Sequence, residues 1–492
     1  MASPSRRVKA GKSGRGVTGS NFWLTSATLR SKSSGRSDPS WMIVGRLFVL
    51  CEMCQVDMVD VSPFCGWRYQ LGQVGDLADV TAPPYDVIGP EELIQLRQKH
   101  PANIVHLILP ESLPDDPGPD ECYQRAAALL AQFKLDGILA RDHADAYYVY
   151  HQTFEIAGEK YVRKGFLGRL KLSPFGEGQV FPHERTLAAP KADRLKLFRA
   201  VKTNLSPIFG LYEDPAGEVE QVLTTALAGQ TGVQLIDEQR VLHQLWPISD
   251  PQVMSKVTSL MKSRPVVIAD GHHRYETALA YRDELVATGT LTNELHAANS
   301  VMCMFVASED GGLMVLPTHR IVKNWQALTA QQIGMALTPV FEVDVVGSHA
   351  TAAQDAWDLA QSCGNGCALA LGTSADSTWV VAELKDMASM RLASPGKSDE
   401  WCQLPVSVLH QLVLPRLAPL VHPREEADLE YVHEDRTAAR AIEEKSAGLA
   451  VLVPATSVTL VEMIAQGGEV LPPKSTYFYP KLRSGMVLNP LT

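Results

Sequence analysis

Asp270, Gly271, His272, His273 and Arg274 directly follow the apolar run Val266-Val267-Ile268-Ala269, and Tyr275, Ala278, Leu279 and Arg282 continue at helical spacing. The five residues therefore read as the turn from a buried strand into a helix. Unpaired backbone N–H groups and the positive end of the helix dipole make such a start an anion site. Arg274 can grip two phosphate oxygens at once, and the histidines add donors. Gly271 permits the sharp turn and a close ligand approach. A carboxylate at Asp270 can hold Mg²⁺ or orient a hydroxyl. The plainer alternative is that Asp270 caps the helix while the basic residues pair with surface acids.

Three other segments carry matching chemistry. Pro182-His183-Glu184-Arg185-Thr186 and Pro317-Thr318-His319-Arg320 each set a histidine and an arginine beside a proline at the end of an apolar stretch, and Lys474-Ser475-Thr476 adds a cation and hydroxyls. Their recurrence points to one shared pocket. Glu184, within the richest of these clusters, is the first candidate for a general base, and Asp86 in Pro83-Pro84-Tyr85-Asp86 is the second. Arg185, His319, Arg320 and Lys474 are candidate contacts to phosphate or to a substrate carboxylate. No GxxxxGK[ST], well-placed GxGxxG, GxSxG or HExxH occurs, which sets aside P-loop, dinucleotide, serine-hydrolase and zincin readings. The pairs Cys51/Cys54 and Cys363/Cys367 lack the partners of a zinc site.

The elements that must position these residues follow from periodicity. Alternating runs at 146–156 and 161–172 flank Ala157-Gly158 as a hairpin would. A helix is predicted over 120–141, another after Thr186, and strands over 207–212, 232–248, 300–307 and 313–317. Beyond Trp325 helices and strands alternate in short units, which reads as a second α/β module. The expected fold class is α/β with mixed α+β character. The expected division is an extension at 1–55, a core at 56–324, and a module at 325–492 whose tail returns to the core.

The chain has 492 residues and a formal net charge of −10. Residues 1–50 hold nine Lys/Arg against the single acid Asp38, a local excess of +8 that leaves −18 for the remainder. That acidity argues against nucleic acid as a partner. No apolar run approaches a membrane span, so no membrane partner and a cytoplasmic location are expected. The extension reads either as an organelle-targeting segment or as a start placed too far upstream.

Six ordered motifs, PPYDVI (83–88), HERT (183–186), NLSPIFGLY (204–212), ADGHHRYETA (269–278), LPTHR (316–320) and PKSTYFYPKL (473–482), together resemble a bacterial and archaeal family catalogued as a domain of unknown function, number ten-fifteen. The DGHHR segment in turn is similar to the phosphate-binding box of the ParB/sulfiredoxin-like fold. Free-serine kinases of that fold carry Asp-Gly-His-x-Arg, matched here by Asp270, Gly271, His272 and Arg274. Sulfiredoxins need a cysteine before the His-Arg pair, where this chain has Gly271-His272. The resemblance implies a nucleotide-dependent phosphotransferase using ATP or ADP with Mg²⁺ on a small hydroxylated substrate, L-serine first among candidates. Two alternatives stand beside it: a nucleotide-binding regulator without phosphoryl transfer, and a metal-dependent hydrolase.

Overall fold

The longest strands form where the sequence alternates most strictly. Tyr147–Ile156 and Glu159–Lys171 are joined by Ala157 and Gly158, whose φ values of 54° and 83° match a two-residue hairpin turn. The computed structural model describes residues 58–186, 188–363, 367–421 and 426–492. The extension expected at 1–55 lies outside them.

The hairpin sits within a nine-stranded mixed sheet. In chain order its strands are β1 (Val61–Ser62), β2 (Tyr147–Ile156), β3 (Glu159–Lys171), β4 (Val180–Pro182), β5 (Ile208–Tyr212), β6 (Val233–Ile236), β7 (Leu242–Ile248), β8 (Val266–Asp270) and β9 (Ser300–Ala307). Across the sheet the order is β4-β8-β5-β9-β3-β2-β7-β6, with β1 on β3. The β4/β8 and β5/β9 pairs are parallel and the other pairs antiparallel.

Period-2 alternation divides the side chains of this sheet between two cores. Tyr148, Tyr150, Leu167, Phe209, Leu211, Val267 and Ala269 join the larger one, and Tyr147, Val149, Phe166, Ile208, Tyr212, Val266 and Ile268 the smaller. The helices Ala188–Val201 and His272–Ala287 pack against each other.

The second sheet comprises β10 (His319–Val322), β11 (Phe341–Gly347), β12 (Ala368–Thr373), β13 (Thr378–Leu384), β14 (Leu429–Val432) and β15 (Leu449–Leu452), in the order β11-β13-β12-β15-β10-β14. Every pairing in it is antiparallel. Helices and strands alternate along this stretch as expected, and the whole chain is a mixed α/β protein. β10 precedes residue 325 and yet pairs here, because His319–Val322 hydrogen-bonds to both β14 and β15. The larger core continues from the first sheet into this one through Val322, Phe341, Leu369 and Val451.

The end of the chain then pairs, in two separate two-stranded ladders, with segments that precede residue 325. Tyr477–Tyr479 pairs with Met314–Leu316, and Asn489–Pro490 with Thr203–Asn204. One expected helix differs in detail. The one predicted over 120–141 spans Glu121–Leu135, since Gly137 adopts a φ of 70° and the following Leu139–Arg141 is taken up as a strand against Trp67–Tyr69. The apolar stretch 406–417 is helical, with a π turn at Leu409–Val413.

Candidate functional site

Strict alternation along β8 would set Asp270 on the face of Ile268, against the smaller core. A bulge prevents this. Ile268 pairs with Gly210 and Asp270 with Phe209, leaving Ala269 as the extra residue. Asp270 thereby shares the face of Phe209, which belongs to the larger core, and the bulge aims its carboxylate at the returning C-terminal segment. Gly271 follows with a φ of 90° and forms the N-cap of the 16-residue helix His272–Ala287. Among the described residues no side chain caps this helix, so the role of Asp270 as a cap is not realised. At this helix start Tyr275 N donates to Gly271 O, closing the first helical turn.

This helix start borders a cleft of about 320 Å³ whose lining includes Asp86, Glu184, Asp270, His272, Lys474 and Lys481, with Thr318, Tyr431, His433, Thr476 and Tyr477 also in its walls. Asp270 Oδ2 accepts a 2.8 Å bond from Lys481 Nζ, and its Oδ1 lies 3.5 Å from Arg274 Nη2. Burial alone would raise the Asp270 carboxyl; Lys481 and Arg274 outweigh it and hold the group well below the usual carboxylate range. Lys481 Nζ also lies 4.4 Å above the Tyr477 ring, whose other neighbour is the stacked His433 imidazole at 3.6 Å.

The histidines act as struts. His272 is buried, and its Nε2 accepts from His183 N at 3.2 Å. His183 Nδ1 donates to Ile268 O at 2.6 Å, while Nε2 meets the Thr476 hydroxyl at 2.8 Å. Burial, reinforced by the adjacent His183, pushes His272 well below the ordinary histidine value. His273 is lowered by burial as well, against the pull of Asp86 and Glu276. Both rings are uncharged near pH 7, so they supply hydrogen bonds and no positive charge.

The predicted residues thus divide. Asp86, Glu184, Asp270, His272 and Lys474 meet at the cleft, and Gly271 makes the turn beside it. Arg274 does not line it: its Nη1 donates to Pro207 O, and its side chain borders a separate small cavity with Tyr85 and Arg194. Arg185 is exposed and outside the cleft lining. His319 is buried behind it, where Nδ1 accepts from Val453 N and the ring packs on Trp357. Arg320 is buried too, donating to Thr318 O and to Lys474 O at 2.9 Å, so it holds the Lys474 turn without reaching into the cleft. Lys474 itself has a φ of 58°, in the left-handed region.

Sequence reading passed over Lys481, the cation that pairs with Asp270. Its signal was its place in PKSTYFYPKL, where it follows Lys474 by seven residues across a short strand. Thr318 was quoted without a role, yet its Oγ1 is buried at the cleft with no hydrogen-bond partner among the described residues. As for Mg²⁺, Asp270 is already matched by two cations, and among the described residues no group of three His, Cys, Asp or Glu could enclose a metal. Asp270 therefore does not fit the part of a resident metal ligand. No described helix is long and apolar enough to cross a membrane.

The sequence profile of the family described as protein of unknown function (DUF1015) matches residues 61–412, and the chain belongs to that family. No curated protein matches it. Among solved structures it is similar to a conserved hypothetical protein from Pyrococcus furiosus, at 14% identity and a TM-score of 0.29, over 62% of this chain and 89% of that one. It is also similar to a free serine kinase in complex with AMP, at 12% identity and a TM-score of 0.30, over 61% of this chain and 83% of that one. A third is SbnI with C-terminal truncation from Staphylococcus aureus, at 8% identity and a TM-score of 0.30, over 64% of this chain and 84% of that one. At such scores the reading of the cleft rests on its own side chains.

Proposed function

We propose that this chain is a nucleotide-dependent phosphotransferase that phosphorylates a small hydroxylated metabolite, with free L-serine as the first acceptor to test. The observation that carries the reading is the uncapped start of the helix His272–Ala287, which borders a polar cleft holding two lysines opposite carboxylates that could take a proton. Backbone N–H groups at the helix start, with Lys474 and Lys481, would cradle the phosphates of ATP or ADP. Mg²⁺ would arrive with the nucleotide as part of the substrate.

In the transfer, the acceptor hydroxyl oxygen bonds to the terminal phosphorus as the bond from that phosphorus to the nucleotide oxygen breaks. The hydroxyl proton passes to Glu184, or to Asp86 if the acceptor enters from the exposed side. Phosphoryl transfer asks mainly for positioning and charge stabilisation, which such a cleft supplies. Asp270 contributes by holding Lys481 in place.

The reading is tested by incubating the chain with Mg²⁺, L-serine and ATP or ADP in turn, and looking for O-phosphoserine by ³¹P NMR and mass spectrometry. Formation of product that falls at least a hundredfold in Glu184→Gln or Asp86→Asn supports it and names the base. Saturable nucleotide binding with no phosphorylated product from serine or other hydroxylated acceptors overturns it in favour of a nucleotide-binding regulator. That second reading draws on one observation: Asp270 is committed to two cations and offers no open metal position.

A further inference from the structure

Lys481 reaches the cleft from an irregular segment, and a lysine on a loose segment would be a poor phosphate contact. The structure fixes that segment from beneath. Arg163 on β3 and Gln152 on β2 are direct cross-strand partners, and Gln152 is in turn paired with His243 on β7. The three residues form a buried polar row across three adjacent strands.

This row captures three consecutive carbonyls of the C-terminal segment. Arg163 Nη1 donates to Tyr479 O at 3.2 Å, Arg163 Nη2 donates to Pro480 O, and Gln152 Nε2 donates to Lys481 O at 3.0 Å. Arg163 Nε and Nη2 also donate to Gln152 Oε1, which locks the two side chains together. Below them His243 Nδ1 meets Tyr150 OH at 2.7 Å and lies 3.5 Å from Gln152 Nε2, while His243 Nε2 donates to Asp237 Oδ2 at 3.0 Å. The Arg163 guanidinium packs over the Phe209 ring at 4.9 Å, and Phe209 is the residue paired with Asp270 across the bulge.

A fully buried guanidinium is costly, and an apolar residue of the same size would serve stability alone at least as well. Among the described residues Arg163 hydrogen-bonds to no carboxylate, and burial lowers it to about 10. What the planar fork provides is two donors at a fixed spacing, suited to the neighbouring carbonyls of Tyr479 and Pro480 where the chain leaves its short strand.

We infer that Arg163, with Gln152, is a positioning residue: the pair clamps the backbone of 479–481 so that Lys481 meets Asp270 at the helix start. The role of Lys481 toward phosphate rests on the function proposed above; the clamp itself does not. A break in the clamp lets Lys481 leave Asp270 while both sheets stay intact.

The test measures the rate at which each lysine of the full chain is reductively dimethylated, read by mass spectrometry. The comparison covers the native chain, Arg163→Lys and Gln152→Glu, the last keeping an acceptor for Arg163 while losing the donor to Lys481 O. Lys481 is expected to react at least fivefold more slowly than the exposed Lys474 in the native chain. In either variant it should approach the Lys474 rate, as it should in Asp270→Asn, with the rate of Lys164 unchanged. Circular dichroism and the melting profile verify that a variant is folded, and one folded variant suffices. An unchanged Lys481 rate in a folded variant overturns the clamp. Inorganic pyrophosphate binding, measured by calorimetry on the same proteins, should weaken about tenfold wherever Lys481 is released. If the native chain binds no pyrophosphate, the phosphate reading fails while the labelling result still decides the clamp.

Discussion

Replacing Lys481 by Met leaves the Asp270 carboxylate in a largely buried position with only Arg274 at 3.5 Å for compensation. Two unit charges 2.8 Å apart attract by about 6 kcal/mol at an effective dielectric of about 20. Desolvation of both groups, whose side chains are 16% and 21% exposed, offsets part of that. Breaking a fully buried pair typically costs about 3–5 kcal/mol, so a loss of about 2–3 kcal/mol is expected here. The pH dependence supplies the sharper check. Asp270 is depressed below its ordinary value of 3.8, so its contribution is complete above that pH and is lost as pH falls through the folded value. The deficit of Lys481→Met, measured by urea unfolding, should be full at pH 7 and shrink below about pH 4. A double-mutant cycle with Asp270→Asn should give a coupling of about 2 kcal/mol. A deficit under about 0.5 kcal/mol at pH 7, or one that is flat down to pH 3, would refute the argument that this pair organises the cleft.

Other outcomes follow from the same geometry. Lys474→Gly relieves the left-handed backbone at φ 58° and should stabilise the chain by about 0.5–1 kcal/mol, while pyrophosphate affinity by calorimetry falls about tenfold. Gly271→Ala meets a φ of 90° and places a Cβ 3.0 Å from the Arg274 guanidinium, so its unfolding midpoint should drop by the equivalent of about 1–2 kcal/mol. Burial raises Asp310 to about 6, against hydrogen bonds from Gly312 N and Lys164 N. A carboxyl raised above its unfolded value contributes stability at low pH that is lost as pH rises, here between about 4 and about 6. Subtracting the pH–stability curve of Asp310→Asn from that of the native chain should show this downward step.

Much of the site was legible because it depends on local chemistry. The apolar run 266–269, the Asp-Gly turn and the helical spacing after it are properties of neighbouring residues, and they gave the strand, the left-handed Gly271 and the helix start. Alternation gave the hairpin at Ala157-Gly158 for the same reason. Other features depend on residues far apart in the chain. The bulge that moves Asp270 to the cleft face arises from how β8 registers on β5, and no residue in VVIAD announces it. Arg274, Arg320 and His319 look alike in sequence to phosphate contacts, and only packing shows that carbonyls of Pro207, Thr318 and Lys474 and the amide of Val453 already engage them. Histidine charge was likewise undecidable from spacing, because burial and the His183–His272 contact set it. The sequence by itself determined the strand, turn and helix start at 266–274 and the mixed α/β class. Tertiary structure alone decided that Lys481 pairs with Asp270, because a salt bridge between positions 270 and 481 exists only once two sheets and a returning tail have closed on one another.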